Sequence, residues 1–158
     1  MTSADGLPRT LSDDVLVDAS PEEVYDLVSD QTRVVEWSPE CVSGEWEDPA
    51  RAGEVGAVFV GHNETAERSW STRSTVVAAD RPREFAWEVG DGLVRWTFQI
   101  DPADGGARLT ERWHFLDAGI AMFQERYGDA DAQIADRTRA AMDGIPRTLT
   151  AIKGILER

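Results

Sequence analysis

The chain changes its hydrophobic period twice, and that change most constrains what it can fold into. Between residues 41 and 115 six runs alternate with period two: "CVSGEWED", "VGAVFVGHNE", "SWSTRSTVVAA", "REFAWEV", "LVRWTFQI" and "ARLTERWHF". Such alternation is the mark of half-buried strands. Pro, Gly and Asp separate the runs at "DPARAGE", "ADRP", "GDG" and "DPADGG", and Asp-Gly and Gly-Gly pairs accept the positive φ of tight hairpin turns. Adjacent strands are therefore expected to meander in an antiparallel sheet.

The flanks follow a helical period. "RTLSDDVLVDAS" is strand-like to about Ala19, after which Ser20, Pro21 and Glu23 provide a helix cap, a first-turn proline and a capping box. Val24, Leu27 and Val28 share one face of this short helix, and "TRVVEWSP" continues as a second that Pro39 must end. At the other end Ile134, Thr138, Ala141, Ile145, Leu149, Ile152 and Leu156 form one stripe. It predicts a helix of about 25 residues, roughly 38 Å long, which Pro146 is expected to bend.

The arrangement that buries both the helix stripe and one row of each strand is an α+β fold. In it a strongly curved antiparallel sheet of about seven strands wraps round the long C-terminal helix, with two short helices after strand 1. One domain over residues 9–158 is expected, preceded by a loose tail at residues 1–8. The chain resembles the START and polyketide cyclase/dehydrase (SRPBCC, helix-grip) superfamily. The resemblance rests on "VLVDASPEEVYDLVSD" followed by "VVEWSPECVSGEW", on "FAWEVGDGLVRWTF" and on the closing "GIPRTLTAIKGILER". It implies a helix-grip fold and a hydrophobic ligand, since members bind lipids, sterols, polyketides and plant hormones and only some are catalysts.

Charged residues mark the outer face of each strand and so assign the inner one. The inward set comprises Phe59, Gly61 and Asn63, then Trp70, Thr72, Ser74 and Val76, then Phe85, Trp87 and Val89. Val94, Trp96, Phe98 and Ile100 follow, and "RLTERWHF" adds Leu109, Glu111, Trp113 and Phe115. Many aromatics with a few polar groups suit a small-molecule pocket as well as a filled core. The candidate ligand-binding residues are Phe59, Asn63, Trp70, Thr72, Trp87, Trp96, Phe98, Trp113, Phe123 and Met142, with Gly61 adding room.

Glu111 is the one carboxylate in the apolar row, and burial would raise its pKa and make it a proton donor or a ligand's hydrogen-bond partner. It is the candidate catalytic residue, with Asn63 as the second polar anchor. The competing reading pairs it with Arg68 or Arg126 in a structural ion pair. Between the last strand and the long helix, residues 116–130 carry Phe123 and Tyr127 between Gly119 and Gly128. This segment reads either as a mobile lid or as a packed helix.

A formal charge of −14 argues against nucleic acid and anionic membrane surfaces as partners and is ordinary for a salt-adapted or high-GC host. The single cysteine, Cys41, rules out an internal disulfide, and no apolar run suits a membrane span or a signal-peptide core. A cytoplasmic protein is expected. His62 and His114 fall on outer faces without companion ligands, and no nucleophile turn, phosphate loop or dinucleotide fingerprint is present. No metal or cofactor is expected. Three functions fit: binding of a lipid, aromatic or polyketide-like molecule in an internal cavity; cofactor-independent cyclase/aromatase or dehydratase chemistry through Glu111; and a protein-interaction module of the chaperone-activator type.

Overall fold

The computed structural model describes residues 6–158. The chain forms β1 (Thr10–Val17), α1 (Pro21–Val28), a 3-10 segment (Gln31–Glu36), β2 (Cys41–Trp46), β3 (Val58–Glu64) and β4 (Ser69–Asp80). β5 (Glu84–Val89), β6 (Val94–Ala103), β7 (Gly106–Phe115), α2 (Asp117–Arg126) and α3 (Ala130–Leu156) complete it. Seven antiparallel strands make one curved sheet in the order β1-β7-β6-β5-β4-β3-β2. The β5–β6 and β6–β7 turns are built as the glycine signals require, with Gly90, Gly92 and Gly105 at φ of 61°, 76° and 79°.

Local chemistry sets the entry to α1. The Ser20 side chain accepts from Glu23 N while Glu23 reaches back to the cap, closing both halves of the capping box. α1 then buries Val24, Tyr25, Leu27 and Val28 against β5, β6 and β7. The long helix packs on β1, β7, α1 and α2, and on its other side Pro39 Cγ lies 3.6 Å from where a Cβ on Gly144 would stand. The helix is thus held between the first strand and the connection into β2.

Pro146 does not interrupt α3, which runs unbroken through it. Pro146 and Met142, the residue whose carbonyl loses its helical partner, share the exposed side of the helix. Solvent can take that hydrogen bond, which lowers the cost of the proline. Of the expected tail, residues 1–5 lie outside the described residues, and Pro8 already makes a bridge to the sheet.

The inner face of the sheet is the core. Phe85, Phe98, Phe115, Leu109 and Ile100 are almost completely buried, and each such side chain contributes about 2–3 kcal/mol relative to exposure.

Candidate functional site

Strand register arranges the inner side chains in rows across the sheet. One row runs Leu11, Trp113, Trp96 and Trp87, and the next runs Asp13, Glu111, Phe98 and Phe85. Residues directly opposite each other on neighbouring strands share a face, so Glu111 has Asp13 on one side and Phe98 on the other. Asp13 is exposed because β1 is the sheet edge. Glu111 is only 4 % exposed, and its Oε1 has no hydrogen-bond partner. Burial alone pushes its carboxyl up to about 8. Neither expected arginine neutralises it: Arg68 sits over the Trp70 ring at 4.0 Å, and no cation contributes to the Glu111 shift.

A second unpaired group lies close by. Trp37, at the end of the 3-10 segment, is 5 % exposed and packs edge-to-face on Phe98 with ring centroids 5.7 Å apart. Its Nε1 also has no hydrogen-bond partner. A buried indole N–H usually finds one, so Trp37 is a polar group of the interior that strand alternation does not reveal. Its only sequence signal is the aromatic placed just before Ser38-Pro39.

The remaining candidates divide by depth. Trp87 joins Phe59, Phe85 and Phe98 through contacts of 5.8–5.9 Å and stacks on Trp96 at 6.4 Å and 19°. Trp113 meets Phe115, and Phe115 meets Phe123 from α2 at 5.2 Å. These rings fill the concave face. Asn63, Trp70 and Thr72 lie at the far end of β3 and β4 and are half-buried. Asn63 pairs across strands with Trp70 and Cys41, and its Nδ2 donates to Gly61 O at 3.5 Å. Three strands lie between β3 and β7 in the sheet, so the structure does not bring Asn63 and Glu111 together.

Three expectations need correction. Met142 is 47 % exposed on the outer side of α3, because it falls off the stripe that Ala141 and Ile145 continue. Gly61 adds little room: a Cβ there would already be in contact with Cys41 Sγ and Thr72 Oγ1 at 3.4 Å. Gly119 is no hinge, since it lies inside α2 and a Cβ would collide with Leu93 O at 2.3 Å. α2 therefore packs closely on the β5–β6 turn and covers one end of the aromatic row.

The outer face carries different chemistry. His62 Nδ1 lies 2.7 Å from Ser71 Oγ and His114 is exposed. A concavity of about 410 Å³ crosses β1, β7 and β6 beside Arg95, Arg112 and His114, on the side of the sheet away from Glu111. Cys41 donates its thiol to Ser43 O at 3.2 Å, and burial pushes that thiol up, away from the reactive thiolate. No described helix is long and apolar enough to cross a membrane.

Comparison with known proteins agrees with this geometry. No curated protein matches the chain. Among solved structures, the Polyketide_cyc-like protein Cgl2372 from Corynebacterium glutamicum is 44% identical, with 94% of this chain and 91% of that one aligned and a TM-score of 0.70. Protein MLL2253 from Mesorhizobium loti has the same fold at 14% identity, with a TM-score of 0.67 over 95% of this chain and 98% of that one. The di-domain ARO/CYC StfQ from the steffimycin biosynthetic pathway aligns at 16% identity and TM-score 0.67 over 94% of this chain, which spans 50% of StfQ. The profile described as polyketide cyclase / dehydrase and lipid transport matches residues 8–149, and the chain belongs to that family.

Proposed function

We propose that the protein binds an uncharged, largely apolar small molecule against the concave face of its sheet, with Glu111 as the polar anchor. The observation that carries this reading is the Glu111 carboxyl, buried in a row with Phe98 and Phe85 and with its Oε1 unpaired. A polar group left without a partner in such a place costs about 1–3 kcal/mol, and a ligand that supplies the missing hydrogen bond recovers it. Family membership and the aromatic lining support the same class of ligand. The rings fill the concave face, so binding requires them to part, and α2 is the cover through which a ligand would enter.

Native mass spectrometry of the purified protein tests this directly. The expected result is a co-purifying apolar compound of a few hundred daltons, released on denaturation and depleted in Glu111→Gln. An apo mass, together with Trp fluorescence unchanged by polycyclic probes, would refute it.

A second reading, cyclase or dehydratase chemistry, is favoured by one further observation. A carboxyl held protonated up to about pH 8 is a general acid available at neutral pH. It predicts turnover of a poly-β-keto analogue that Glu111→Gln abolishes while binding survives; binding without turnover returns the protein to the carrier or sensor role.

A further inference from the structure

Two residues that carry buried unpaired polar atoms of complementary kind, Trp37 and Glu111, both neighbour Phe98. Trp37 Nε1 can only donate a hydrogen bond and Glu111 Oε1 lacks a partner. Trp37 packs on Phe98 edge-to-face, and Phe98 is the direct cross-strand neighbour of Glu111, which places their Cβ atoms about 5 Å apart. Resting on the binding role proposed above, we infer that the interior site selects its ligand by one hydroxyl on a flat apolar ring system. That hydroxyl accepts from Trp37 Nε1 and donates to Glu111.

The choice of hydroxyl follows from what each alternative leaves unpaired. A hydroxyl is donor and acceptor at once, so it satisfies both atoms whether Glu111 is charged or neutral. A ketone can accept from both Trp37 and the protonated Glu111 carboxyl, but it loses the second bond and meets a lone pair once that carboxyl ionises, whereas the hydroxyl keeps both bonds in either state. A carboxylate brings a second negative charge into a site whose burial already disfavours one, with Asp13 at the edge of the same row. A bridging oxygen needs its two partners about 5–6 Å apart. The flat ring is selected by the stacked pair Trp87 and Trp96, whose faces favour offset stacking.

The test uses three probes of one skeleton, 2-naphthol, naphthalene and 2-naphthoate, titrated into the full chain at neutral pH. The readout is the set of indole Nε1–H resonances, with Trp37→Phe assigning its own peak. The expected result is that 2-naphthol binds about tenfold tighter than naphthalene, as one well-made buried hydrogen bond allows. It should also move the Trp37 indole proton downfield, and 2-naphthoate should bind most weakly. Glu111→Leu and Trp37→Phe should each bring the naphthol-to-naphthalene ratio close to one while naphthalene still binds, and Asn63→Ala should leave the ratio unchanged. Glu111→Leu keeps the test decisive if Trp37→Phe folds poorly, because it replaces an unpaired carboxyl with an apolar side chain. Equal binding of naphthol and naphthalene, or a preference that survives both variants, overturns the hydroxyl inference alone. Failure of every probe to bind overturns the interior-binding role and this inference with it.

Discussion

Asn63 and Glu111 both point inward from strands of the same sheet, yet they occupy opposite energetic positions. Asn63 stands at the half-buried far end of β3, where its amide reaches a backbone carbonyl and its remaining groups can reach solvent. Glu111 stands beside Phe98, between the tryptophan row and the aliphatic row of Leu109 and Ile100, with an unpaired oxygen and a carboxyl raised to about 8. The polar-inward pattern is the same at both positions, but depth decides its meaning. At the rim a polar side chain is close to neutral for stability, whereas in the interior it stores a cost that a ligand can recover.

The largest effect should come from the residue on which the deep end depends. Phe98 touches Trp37 and Trp87 and neighbours Glu111. Phe98→Ala should cost about 3–5 kcal/mol in denaturant unfolding, and a loss below about 1 kcal/mol would mean that the deep end is loosely packed.

Glu111 itself should show an effect of similar size that depends on pH. The folded protein holds its proton up to about pH 8, whereas the unfolded chain releases it near the ordinary carboxylate value. Across that window the folded state binds more protons. This group's contribution is therefore fully favourable at low pH and is lost as pH rises toward 8, by roughly 3–5 kcal/mol. Glu111→Leu should remove that slope and be more stable than wild type at pH 8. Parallel unfolding curves for the two proteins from pH 5 to 8 would erase the distinction between rim and interior.

Gly119→Ala tests the cover. Its Cβ would meet the Leu93 carbonyl, so α2 must shift off the β5–β6 turn, at a cost of about 1–3 kcal/mol. Amide exchange in α2 should quicken more than exchange in α1. The smallest effect belongs to the rim: Asn63→Ala should change stability by no more than about 0.5 kcal/mol and leave the pH profile as it was.

The sequence carried the rows but not their depth. Polar side chains at Arg95, Gln99, Arg108 and Arg112 identified the outer face, and every residue of β7 from Ala107 to Phe115 alternates as that pattern requires. The polar partner across Phe98 was not legible. Trp37 belongs to a 3-10 segment with no usable period, and only the packing of that segment on the sheet makes its indole an interior group. Met142 was misplaced because apolar character alone does not assign a helix face. Gly61 opens less space than its missing side chain suggests, because Cys41 and Thr72 stand at contact distance from where a Cβ would lie.

The pairing of β1 with β7 also bears on how the molecule is assembled. Thr10 and His114 are partners across about a hundred intervening residues, so the first strand made is among the last to be satisfied during synthesis. Throughout that interval β1 is an unpaired strand of the kind that invites pairing with other chains. Its run "SDD" at residues 12–14 places charges on both faces of that strand, which discourages such pairing. The carboxylate beside Glu111 is one of those charges, on the face of β1 that turns toward the core side of the sheet.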